Sequence, residues 1–122
     1  MDKIIIIDKA YEKLKELKIK PSVSGYRYLV LAIVYVIENI KTLDTIHITK
    51  EVYSYVASTC NTNLHAVERN IRHAIQTCKK QCSAINIEKV TGSCITDLTN
   101  KDLIWSLARK IYRELKHDEG VV

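Results

Sequence analysis

Three glycines and one proline in 122 residues leave few places where a helix can break. So little backbone punctuation favours a helical protein over a sheet protein. The apolar residues agree. Ile7, Ala10, Leu14 and Leu17 recur at three- and four-residue steps, the period of an amphipathic helix ending near Pro21. The preceding Ile4–Ile7 run is either its first turn or a short extended piece. Leu29, Ala32, Ile33, Val36, Ile37 and Ile40 predict a second, more buried helix, capped by Ser22 or Ser24. Lys41–His47 is polar and reads as a loop. Thr49 can cap a third helix, Lys50 to about Thr59. Cys60-Asn61-Thr62-Asn63 then reads as a turn, because asparagine tolerates the left-handed backbone. Asn63 or Thr62 caps a fourth helix, through about Gln81. A short helix near Ile85–Lys89, a turn at Gly92 and a capping box at Thr99 and Asp102 lead into a last helix. It runs to about Lys116 with Ile104, Leu107, Ala108, Ile111 and Leu115 inward. The expected fold is all-α: a compact bundle of five or six helices, one domain over residues 1–122, with a helix-turn-helix at about 49–81.

The net charge of +5 is uneven. Residues 61–82 hold Arg69, Arg72, Lys79 and Lys80 against Glu68, the largest local excess in the chain. On a helical wheel, Leu64, Val67, Ile71, Ala74, Ile75, Cys78 and Cys82 share one arc of the fourth helix. His65, Glu68, Arg69, Arg72 and Gln76 share another. The second arc holds the side-chain types that reach base edges. Arginine forks onto guanine, glutamate accepts from cytosine, and glutamine reads adenine. The start of the helix, with Asn61, Thr62 and Asn63, adds groups suited to phosphate. Val56, Ala57 and Val67 are apolar where the two helices would meet. The competing reading is a solvated face, on which Glu68 and Arg72 form a helix-stabilising pair four residues apart.

Other functions fit less well. The longest apolar run, Tyr28–Ile37, is too short for a membrane span of about 20 residues, and no secretory leader is readable. A cytoplasmic protein with reduced thiols is expected. Cys78 and Cys82 form only half of a metal-ligand pattern and lie on the apolar arc, so core thiols are expected and no metal or cofactor. No glycine-rich phosphate loop or serine elbow suggests an enzyme. Trp105 and Tyr112 share one side of the last helix and are expected to wrap the core edge rather than form an exposed patch.

"VERNIRHAI" (Val67–Ile75) resembles the motif V-E-R-x-I-R-H-A-I of the C-terminal effector domain of the stage zero sporulation protein A family. "SGYRYLVLAI" (Ser24–Ile33) is similar to that family's K-G-Y-x-Y-L-x-x-A-I helix. "ITKEVYSYVASTCNT" (Ile48–Thr62) is similar to its I-T-K-x-x-Y-x-x-I-A-x-x-F-N-T block, and "TNKDLIWSLARKI" (Thr99–Ile111) to its final helix. The resemblance implies an all-helical domain that binds a short box of double-stranded DNA through the major groove. It further implies pairing as a homodimer on tandem sites and contact with the RNA polymerase sigma factor. Glu68, Arg69, Arg72 and His73 match recognition-helix positions, and Thr49, Lys50 and Asn61 match the preceding helix and turn, where phosphates are expected.

Departures are informative. The family has Ser-Arg where this chain has His65-Ala66, so one guanine-reading arginine is replaced. Loss of one forked contact removes about 1–3 kcal/mol of base discrimination. Residues 79–98, where the polymerase-facing surface is expected, match poorly. No alternating strand-helix pattern of a receiver domain is present, as expected of an isolated effector domain or a stand-alone paralogue. The alternative function is a protein-interaction module that pairs with a full-length regulator of the family.

Overall fold

A computed structural model describes residues 2–41, 48–92 and 98–118; of Ile48 and Thr49 only the backbone is described. Among the described residues, six α-helices pack around one apolar core and no strand is present. They are α1 (Lys3–Glu16), α2 (Ser24–Glu38), α3 (Tyr53–Thr59), α4 (Leu64–Gln81), α5 (Ala84–Thr91) and α6 (Asn100–Asp118). The all-α expectation holds.

The Asp2 carboxylate accepts from the Ile4 N–H at 2.8 Å, so Ile4–Ile7 is the first turn of α1. The inward series is Ile6, Ala10, Leu14 and Leu17, one residue earlier than expected at its start, and Ile7 is only partly buried. The helix also stops sooner. Lys18 takes a left-handed φ of 62°, and the Lys18 and Ile19 N–H groups close back on the Lys15 and Leu14 carbonyls, both at 3.0 Å. This is a Schellman closure, and burial of Leu17 and Ile19 holds it although its left-handed position carries no glycine.

α2 is the centre of the bundle and packs on α1, α4 and α6. Neither Ser22 nor Ser24 caps it. Val23 occupies the cap position without a side-chain bond, and Ser24 is already helical. Gly25 explains how close this end sits to α4. A Cβ there would run into the Asn70 carbonyl and lie 3.0 Å from the Ala74 Cβ. Only a residue without a side chain permits that approach.

The third helix ends at Thr59 as expected but begins at Tyr53, three residues after the expected Lys50, with Val52 and not Thr49 in the cap position. A π-helical turn, Ile48–Val52, already contains Thr49 and runs into α3. Whether the Thr49 side chain caps anything lies outside the described residues, as does the loop from Thr42 to His47. At the other end of the chain the capping box forms. The Asp102 N–H donates to Thr99 Oγ1 at 3.1 Å, and the Thr99 hydroxyl donates to Asp102 at 2.8 Å. α6 then buries Leu103, Ile104, Leu107, Ala108, Ile111 and Leu115, and Trp105 and Tyr112 pack half-buried against the core edge. Lys13 ties α1 to Glu114 of α6 at 2.8 Å.

Candidate nucleic-acid interface

The α3–α4 unit is built from its turn outward. Asn61 takes a left-handed φ of 53°. Its N–H and that of Thr62 close back on the Ser58 and Ala57 carbonyls, at 3.4 and 2.9 Å. That second Schellman closure ends α3 and redirects the chain. Asn63 then caps α4: its side-chain oxygen accepts from the Ala66 N–H at 2.9 Å. Val56, Ala57 and Val67 are buried, and α3 packs against α4.

α4 has two faces with opposite fates. Val67, Ile71, Ala74, Ile75 and Cys78 are buried, mainly against α2. His65, Arg69, Arg72, His73 and Gln76 are exposed, and Glu68 is half-exposed. Two residues of the predicted apolar arc sit elsewhere. Leu64 is 47% exposed because it opens the helix beyond the core. Cys82 caps the far end half-buried, its thiol donating to the Leu17 carbonyl at 3.2 Å. Asn70, on the flank, turns its amide back to the Ala66 carbonyl at 2.8 Å.

Arg72 donates to the Glu68 carboxylate one turn before it. Both groups are well exposed, so the pair itself adds little stability. The bond uses one of the five guanidinium N–H donors and leaves the others for a ligand. Beside this pair lies a groove of about 660 Å³ between α4 and the start of α6. Glu68, Arg72, Gln76 and Lys79 form one wall, Thr99, Asn100 and Lys101 the other, with Lys50 and Tyr53 at one end. Lys50, Arg72, Lys79 and Lys101 set four cations there against the single carboxylate of Glu68. The Asn100 amide donates to the Glu68 carbonyl at 3.1 Å, which fixes the start of α6 against α4. Burial pushes the Tyr53 phenol above its usual pKa; Asn100 and Arg72 oppose that rise, and Glu68 adds to it.

Of the expected site residues, Lys50, Glu68, Arg72 and Gln76 meet at this groove, and His65, Arg69 and His73 lie exposed on the same helix outside it. Asn61 and Asn63 are exposed and shape the turn. The side chain of Thr49 lies outside the described residues. Tyr53, Lys79, Asn100 and Lys101 were not singled out by sequence. Lys79 was within reach of it, since it continues the Arg72–Gln76 stripe by one more turn. Asn100 and Lys101 were not, because only tertiary packing brings them to Glu68.

Cys78 belongs to the core, and burial pushes its thiol up to about 12, with Cys82 adding to the rise. Among the described residues, no group of three or more His, Cys, Asp or Glu side chains is placed to hold a metal, and no helix is long and apolar enough to cross a membrane. Cys94 lies outside the described residues. A family model described as sporulation initiation factor Spo0A C terminal matches residues 10–111.

Proposed function

The chain belongs to the sporulation initiation factor Spo0A C-terminal family, DNA-binding regulatory domains rather than enzymes, and on that premise we propose that it is a sequence-specific transcription regulator that lays α4 in the major groove. One observation carries the reading. α4 is locked into the core along one side while Arg69, Arg72 and Gln76 stand exposed along the other. A helix held this rigidly presents its donors in a fixed register, as base readout requires.

In this reading Arg69 and Arg72 are the principal base contacts and Gln76 extends the row. Glu68 orients the Arg72 fork and accepts from cytosine. His65 and His73 flank the row and reach base edges or phosphates. Lys50, Asn61, Asn63 and Thr49 face the phosphate backbone at the start of the recognition helix. Ala66 leaves one reading position empty, so the preferred site differs from that of relatives with arginine there. The chain acts in the cytoplasm and pairs as a homodimer on tandem sites; the poor match over residues 79–98 speaks against the sigma-factor contact of its relatives.

The test is selection of bound duplexes from a randomised pool, followed by affinity measurements across salt. A short enriched box, and affinity falling steeply with salt, support the reading. A pool that stays unenriched, with salt-insensitive pairing to a full-length regulator of the family, favours the interaction-module alternative instead.

A further inference from the structure

We propose that the seam between α1 and α2 is a docking site for an acidic amphipathic helix of a partner protein. This does not depend on the DNA reading, since no residue of the α4 stripe lines the seam.

Apolar surface is exposed there. Tyr11 is 45% exposed, and Ile4, about two turns before it on the same face of α1 and just outside the hollows, is 68% exposed. Tyr11 stacks on Tyr26 of α2 with ring centroids 5.7 Å apart, forming a ridge across the seam. A hollow opens on each side of the ridge. The smaller, about 190 Å³, is floored by Ile7, Val30, Leu31 and Val34. The larger, about 620 Å³, is floored by Ile19 and Pro21. α1 has 14 residues, so the seam spans about 21 Å, the length of a four-turn helix.

The rim decides the class of occupant. Lys3 and Arg27 edge the smaller hollow and Lys15, Lys18 and Lys20 the larger, while Glu12 is the single acid lining either. The Schellman closure after α1 fixes the backbone that carries Lys18 and Lys20. A second copy of this chain docked face to face would set these cations against themselves. An apolar floor with a cationic rim matches instead a helix with apolar residues every three or four positions and carboxylates along its flanks.

The probe is a synthetic 18-residue peptide with leucine and phenylalanine along one face and glutamate along both flanks, titrated into the isotope-labelled chain by NMR. One control has the same composition scrambled; the other has lysine for every glutamate. The acidic amphipathic peptide should bind saturably, shifting resonances of Ile4, Tyr11, Tyr26 and Lys15–Lys20. The lysine peptide and the scrambled peptide should not. Ile4→Asp and the double change Lys18→Glu, Lys20→Glu should each weaken binding by at least about 5-fold. Both alter exposed side chains, and an unchanged circular dichroism spectrum shows that the fold is kept. Absence of saturable shifts, shifts confined to the α4 stripe, equal binding of the lysine peptide, or self-association through the seam in sedimentation would each overturn the proposal.

Discussion

Outward from α4 the chain presents Arg69, Arg72, His73 and Gln76, with Leu64 the one large apolar side chain exposed on that helix. Outward from the α1–α2 seam it presents Ile4, Tyr11 and the edge of Tyr26 between lysines. Both surfaces are edged by cations, so charge alone assigns both to an anionic partner. Their floors separate them. On α4, polar groups with directional donors meet solvent, which suits a ligand made of base edges and phosphates. In the seam, aromatic and aliphatic surface meets solvent, and a phosphate backbone leaves that surface uncovered while an amphipathic helix buries it. Both surfaces rest on α2, whose Gly25 seats α4 and whose Tyr26 completes the seam.

That shared support is where the comparison breaks most severely. Ile71 is completely buried. Ile71→Ala should cost about 2–5 kcal/mol in chemical denaturation, and both surfaces should fail together as the bundle loosens. Gly25→Ala is expected to be the next largest, at about 1–3 kcal/mol, because its Cβ meets backbone that cannot move aside. It should separate the surfaces: α4 shifts on α2, so duplex affinity falls by more than affinity for the seam peptide. Equal loss at both surfaces would contradict that. Arg72→Ala sharpens the contrast from the other side. It should weaken binding to a selected duplex by about 1–3 kcal/mol, leave the seam untouched, and change stability by less than about 0.5 kcal/mol, since the Glu68 pair is exposed. Asn63→Ala removes the α4 cap and should cost about 1 kcal/mol in thermal or chemical unfolding.

The smallest effect near neutral pH concerns the protonation of Cys78 and Tyr53. Both pKa values are raised on folding, so the folded state holds these protons more tightly. Their contribution is complete below the ordinary values of 9.0 and 10.0 and is lost as pH rises beyond them, for Cys78 up to about 12. Stability should therefore be level from pH 7 to 8.5 and decline above that. The buried Cys78 should react with a thiol reagent at pH 8 far more slowly than the half-buried Cys60. Comparable rates would show that Cys78 is not a core thiol.

Local chemistry made some of this legible in advance. Asn61, Asn63 and the Thr99–Asp102 box each work through partners within five residues, and each adopts the expected geometry. The apolar period of α4 placed its buried face, apart from the two terminal positions where burial depends on how far the core extends. Other features needed the whole fold. Among four consecutive isoleucines the three- and four-residue spacing points to Ile7, and packing buries Ile6 instead. Lys18 shows no glycine-like signal, and its left-handed backbone follows from burying Leu17 and Ile19 on either side. Ser22 and Ser24 are good capping residues that go unused. The groove beside Glu68 is assembled from α4 and α6 across 32 residues of sequence, beyond the reach of spacing arguments.

The central claim is that the exposed stripe of α4 reads DNA sequence. Its most direct test is fluorescence anisotropy with the selected duplex and a scrambled duplex, at two salt concentrations, for the wild type and for Arg72→Ala. The wild type should prefer the selected duplex, bind both less tightly at higher salt, and lose most of its preference when Arg72 is replaced. A preference that survives Arg72→Ala unchanged, or binding that ignores both sequence and salt, would contradict the claim.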